Sequence, residues 1–103
     1  MSDELREIKQ GIAIDAQGDI VPVFHSWWRA NSRFPHLPLS ERLAIAEQAI
    51  SESLSEGVIV LTTDPDAAPG NFVAPIDYAD ILKRWDTWIA DEGVVKVYAA
   101  RPR

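Results

Sequence analysis

A chain of 103 residues and 11.5 kDa has room for one core and no second lobe. At 47% hydrophobic and 25% charged residues it has the composition of a folded globule, and without cysteine it offers no disulfide framework, thiolate metal site or cysteine nucleophile. The net charge of −6 is unevenly placed: no acid lies between Ile20 and Ser40, whereas Glu41 to Glu92 holds eleven acids against Arg42, Lys83 and Arg84, and Lys96, Arg101 and Arg103 make the last stretch basic again.

The opening "MSDELREIKQ" is acidic and has neither a basic start nor an apolar run, and nowhere does an apolar stretch approach the roughly 20 residues that span a bilayer. No membrane association and a cytoplasmic location are therefore expected. "SDELREIKQGI" predicts a short helix, with Ser2 as cap, Asp3 and Glu4 at the positive end of the dipole, and Leu5, Ile8 and Ile12 on one face. "DAQGD" is expected to break it, with Gly18 as the turn residue. Ile20 and Val21 should be extended, because the residue ahead of a proline is pushed out of the helical region, and a helix should start near Pro22. On that helix Val23 and Trp27, and likewise Phe24 and Trp28, are four apart and form one broad apolar face. "SRFPHLPL" reads as a linker broken by Pro35 and Pro38.

"LSERLAIAEQAISESLSEG" is the clearest helix. Ser40 is its expected cap, Leu43, Ala46, Ala49, Ile50 and Leu54 its buried stripe, and Gly57 its left-handed stop. "VIVLTT" predicts a buried strand, "DPDAAPGN" a hairpin loop and "FVAP" a short extended piece. "DYADILKRWDTWIADEG" predicts one further helix, capped by Asp77, with Tyr78, Ile81, Leu82, Trp85 and Ile89 on its inner face, Trp88 at the flank and Gly93 at the end. "VVKVYAA" alternates as a final strand expected to pair with "VIVLTT". No internal repeat or low-complexity tract is present.

The segments "DIVPVFHSWW", "ERLAIAEQAISESLSEGVIVL", "NFVAPIDYADILKRWDTWI" and "VVKVYAA" together resemble a group of small, largely uncharacterised bacterial proteins with a winged-helix-like core that carries an extra helix before the last strand. The resemblance covers nearly the whole chain. It implies an α+β fold, winged-helix-like, with about four helices packed on a small antiparallel sheet in a single domain over residues 1–103. It brings no activity with it, because function belongs to sites and not to folds.

A winged helix suggests DNA, but the charge argues otherwise. The helix that would enter the major groove presents Glu41, Glu47, Glu52 and Glu56 with one arginine, and a polyanion is bound chiefly by cations. Duplex binding would have to use Arg29 and Arg33 with Lys96, Arg101 and Arg103. His25 and His36 match no metal-ligand spacing, and Ser26 and Ser32 lie in no recognisable triad. Asp64, Asp66 and Asn71 lack the terminal glutamate of a calcium loop, and the isolated glycines form no phosphate cradle. No cofactor, metal or catalytic residue is expected.

What remains is an interaction surface. Tryptophan and arginine are enriched at binding hot spots, and neighbours on a helix point about 100° apart, so one of Trp27 and Trp28 is expected to be partly exposed, with Arg29 and Arg33 as a cationic rim. The bland alternative puts both indoles in the core and pairs the arginines with the abundant acids. Glu41, Glu47, Glu52 and Glu56 could steer a basic partner or merely keep the chain soluble. The function expected is a non-enzymatic acidic module, of immunity or adaptor type, that binds a basic protein. The alternative is a winged-helix DNA-binding transcriptional regulator, and self-association into a homodimer through an exposed tryptophan stays open.

Overall fold

The computed structural model describes residues 3–64, 66, 71–88 and 97–102, with the backbone alone at 85 and 86. Ser2, Ile89, Asp91, Glu92, Gly93, Lys96 and Arg103, which carry expectations above, lie outside the described residues, as do the side chains of Trp85 and Asp86.

The architecture is α+β. Helix α1 (Asp3–Gly18) leads to β1 (Val21–Pro22), then α2 (Phe24–Arg33), α3 (Leu39–Ser55) and β2 (Val60–Thr62). A 3-10 turn (Pro75–Asp77) runs into α4 (Tyr78–Lys83), followed by α5 (Trp85–Trp88) and β3 (Tyr98–Ala100). The strands form a three-stranded antiparallel sheet in the order β1-β3-β2, with Val21 opposite Ala99 and Leu61 opposite Ala99 on its other side. The expected pairing of the last strand with "VIVLTT" is thus present, and the last strand also receives β1. Pro22 sits in the edge strand, where its missing N–H costs no ladder bond.

Helices α1, α2 and α3 pack on one another through small residues. Ala30, Ala46 and Ala49 are fully buried and let the backbones approach, while Ile8, Ile50, Ile59 and Leu61 fill the space between them and the sheet. Helix α1 is longer than its sequence suggests. Ala16 extends the buried stripe of Leu5, Ile8 and Ile12 by one more turn, so the helix runs through "DAQG" and ends at Gly18 instead of breaking near Ile12. Helix α2 starts at Phe24, with Val23 as its first flanking residue, and the "linker" after it buries Phe34 in the core.

Helix α3 is capped by Pro38, not by Ser40. The Pro38 carbonyl accepts from Glu41 N (3.0 Å) and Arg42 N (3.1 Å), and proline has no N–H to leave unpaired at that position. At the far end Gly57 takes φ +72, and the N–H groups of Gly57 and Val58 return to the carbonyls of Leu54 (3.2 Å) and Ser53 (2.9 Å). Val58 and Ile59 are used in that closure, so β2 begins only at Val60.

The region expected as one helix from Asp77 is interrupted at Arg84, and its expected continuation past Trp88 lies outside the described residues. Arg84 is extended (ψ 133) between α4 and α5, and Asp77 makes no side-chain cap bond. The break leaves carbonyls of α4 without their usual helical donors, and two side chains of α5 supply replacements: Thr87 Oγ1 donates to Ile81 O (2.6 Å) and Trp88 Nε1 to Leu82 O (2.8 Å). Trp88, expected at the flank, is buried, at 3% exposure. Thr62 bridges Phe72, and Val73 N donates to Leu61 O (3.0 Å), which joins the two sides of the expected hairpin, while residues 65 and 67–70 of its loop lie outside the described residues.

Candidate functional site

Helix α2 has an outer face in strict helical register: His25, Trp28, Arg29, Ser32 and Arg33 stand at i, i+3, i+4, i+7 and i+8 and line one open cleft. No residue of the helix is acidic. The inner face buries Phe24, Ser26 and Ala30, and Trp27 is half-buried against the core. Trp28 is the exposed member of the pair, at 58%.

Its exposure is not looseness. One face of the indole stacks on His25 (centroids 5.5 Å apart, planes at 24°), and Phe24 packs against it at 4.5 Å and 60°. Each such contact adds about 0.5–1.5 kcal/mol beyond area burial, so the ring is held in place while much of it faces water.

The arginines are anchored to α1. Arg29 Nη2 donates to Asp15 Oδ2 at 2.7 Å, with both side chains 31% exposed, and Arg33 Nε lies 3.5 Å from Glu7 Oε1. Arg29 reaches Asp15 by lying across Gly11. A Cβ at Gly11 would stand 1.7 Å from Arg29 Nη1 and 2.7 Å from its Cζ, so the absence of a side chain there is what admits the guanidinium. The arginine is drawn down onto α1 and both cations are paired inside the molecule.

The four glutamates of α3 do not form one surface. At 100° per residue Glu41, Glu52 and Glu56 fall within about 60° of one another and Glu47 stands about 120–180° away. Lys9 of α1 donates to Glu52 Oε1 (3.1 Å) and to Glu56 Oε2 (2.9 Å), while Gln48 Nε2 donates to the other Glu52 oxygen (2.7 Å). Those bonds hold the Glu52 carboxyl below the ordinary glutamate range, the Lys9 bond foremost, and raise Lys9 above the ordinary lysine range, Glu56 first and Glu52 second. Glu41 and Glu47 are exposed and have no cation within ion-pair distance among the described residues. The outward residues of α3 around Glu47 include Ala44, Gln48, Ser51 and Ser55, with no lysine or arginine.

Of the residues expected to bind a partner, Trp28, Arg29 and Arg33 thus share a cleft, Trp27 turns inward, and Glu52 and Glu56 hold Lys9. The stacking of His25 on Trp28 follows from their i, i+3 spacing. Gly11 and Asp15 had no visible signal, because "DAQGD" reads as a turn. Arg101 lines a different cleft, beside the C-terminal end of α1, with Gln17, Gly18 and Asp19. Arg42 donates to Asn31 Oδ1 (2.9 Å), tying α3 to α2, and its Nε is buried without a partner.

Asp64 spends its carboxylate on Asp66 N (2.8 Å) and Asn71 Nδ2 (3.0 Å), a local turn device. Among the described residues no group of three or more His, Asp or Glu side chains is placed to hold a metal ion. No described helix is long and apolar enough to cross a membrane. No protein-family model, curated protein or solved structure matches this chain.

Proposed function

We propose that this chain is a non-enzymatic, cytoplasmic protein-binding module of winged-helix-like arrangement, whose contact face is the outer side of α2 and whose partner is a basic protein that it neutralises or adapts, as an immunity-type protein would. The observation that carries the reading is Trp28: a large indole 58% exposed yet fixed by His25 and Phe24. Exposed, rigid aromatics beside arginine supply contact area at little entropic cost. The sign of the partner follows from the net charge of −6 and from exposed acids such as Glu41, Glu47, Asp77 and Asp80, which have no ion-pair partner among the described residues.

The strand order β1-β3-β2 behind three helices is what a winged helix has, and it favours duplex DNA as a second reading. Two features weigh against it. The outward side of α3 has no cation, and Arg29 and Arg33 are already paired with Asp15 and Glu7.

The test uses the full chain immobilised beside its Trp28→Ala variant in extract of the source organism. A basic protein retained by the first and lost from the second is expected. Retention that ignores Trp28, or salt-sensitive binding of a duplex oligonucleotide, would refute the proposal.

A further inference from the structure

A second groove lies away from Trp28, where the start of α1 meets the first turns of α3. It is lined by the apolar side chains of Leu37, Ala44 and Ile45 together with Glu4, Glu41 and Gln48. Neither Glu4 nor Glu41 has a cation within ion-pair distance or a side-chain hydrogen bond among the described residues. Two turns and more along the same side of α3, the chain shows what such a place holds. Lys9 crosses from α1 and sets its ammonium between Glu52 and Glu56, at 3.1 Å from the first. Both places along the α1–α3 seam carry two carboxylates, Glu52 and Glu56 from α3 and its C-terminal end at one, Glu4 from α1 and Glu41 from α3 at the other, but only the first has a lysine supplied from within the described residues.

We infer that the Glu4–Glu41 groove takes a lysine side chain of the basic protein partner, its four-carbon stem on Leu37, Ala44 and Ile45 and its ammonium between the two carboxylates. The inference rests on the protein-binding reading and names the chemistry of the partner. The geometry suits lysine's division into an apolar stem and a charged head, which lets the stem cover hydrophobic surface while the head stays at the polar rim. Charge complementarity chooses the occupant: an acidic side chain would meet two unpaired carboxylates, and an apolar one would leave them without a partner while covering them. Together with the cleft of Trp28, with which it shares no lining residue, the groove gives the partner a second point of attachment.

The probe is an acetylated, amidated hexalysine peptide, titrated into the 15N-labelled full chain at an ionic strength of about 0.15 M, where the Debye length is about 8 Å. Amide shifts centred on Leu37, Glu41, Ala44, Ile45 and Gln48 are expected. The double variant Glu4→Gln with Glu41→Gln should weaken the peptide about fivefold, the sum of two exposed ion pairs. The double variant Asp77→Asn with Asp80→Asn removes the same charge elsewhere and should weaken it less than about twofold, since distant exposed charges are screened. Equal weakening by both pairs, shifts centred on another face, or no binding would overturn the groove. The two readings fail separately. If the protein captured through Trp28 is held equally well by the Glu4→Gln, Glu41→Gln variant, the groove is wrong and the module stands; if no protein depends on Trp28, the module is wrong whatever the peptide does.

Discussion

Gly11 offers the sharpest test of how the α2 face is held. It sits inside α1, where replacing glycine by alanine ordinarily stabilises a helix by about 1 kcal/mol. Here the added Cβ would stand 1.7 Å from Arg29 Nη1, the mobile end of a long side chain, so Arg29 must swing away and give up its 2.7 Å bond to Asp15. With both partners about a third exposed, that bond is worth about 1 kcal/mol. The two effects cancel, and Gly11→Ala alone should move stability by less than about 0.5 kcal/mol. In an Arg29→Ala background the clash and the ion pair are both gone, and the same Gly11→Ala change should stabilise by about 1 kcal/mol, or roughly 4–8 °C in Tm for a domain of this size. The double-mutant cycle, read by urea unfolding with thermal unfolding as a check, should give a coupling near 1 kcal/mol. Equal stabilisation by Gly11→Ala in both backgrounds would show that Arg29 does not depend on the missing side chain.

The break between α4 and α5 predicts that Thr87→Val, which keeps the shape and removes one of the two donors to Ile81 O, the other being Arg84 N (3.1 Å), lowers unfolding free energy by about 1 kcal/mol in urea titration. Trp88→Ala should cost about 3–5 kcal/mol by the same measurement, as a core residue and not a flanking one. Trp28→Ala should lower stability by about 1–3 kcal/mol, the worth of its ring contacts with Phe24 and His25, leave the chain folded and abolish partner capture. Glu52 is held below its ordinary range, so its contribution is complete above that range and is lost as pH falls through it toward the folded value; Lys9 is raised, so its contribution is complete below the ordinary lysine range and is lost as pH rises through the higher folded value. Stability followed from neutral pH into acid and into alkali should accordingly fall less steeply on both limbs in Lys9→Met.

The helices that bury a repeating stripe were legible because the period is local. Ala46, Ala49 and Ile50 in α3, and Leu5, Ile8 and Ile12 in α1, show it without any knowledge of the neighbours. Gly57 was legible for the same reason, since a left-handed stop is a property of one residue. What failed was decided by contacts distant in sequence or by competition between adjacent signals. Ala16 is too small to register as a hydrophobic repeat, yet burial makes it the fourth member of the α1 stripe. The pattern from Tyr78 to Trp88 is helical throughout, and nothing in it announces that Arg84 will be extended; the Thr87 and Trp88 donors that make the break affordable are visible only once they reach Ile81 and Leu82. At the candidate site the exposure of one tryptophan follows from helical geometry, whereas the partners of Arg29 and Arg33 lie on another helix and could not be chosen in advance from so many acids.

That last point changes what the charge distribution means. Along the sequence the acid-free stretch around Trp28 looks like a positive segment facing a negative one. In the fold Asp15 and Glu7 neutralise its arginines, and Lys9 neutralises part of the α3 acids, so each internal pair cancels itself at a distance. Among the described residues, the field that acts on an approaching molecule is then set by acids with no ion-pair partner, such as Glu4, Glu41, Glu47, Asp77 and Asp80, against cations without one, such as Lys83, Arg84 and Arg101. A duplex seeking Arg29 would have to displace Asp15 from a 2.7 Å bond and approach through that negative field, two costs that a cationic polypeptide does not meet. The anchored arginines serve better as a fixed wall beside Trp28 than as phosphate ligands. Lowering the salt should therefore speed association with a basic protein and leave a duplex unbound.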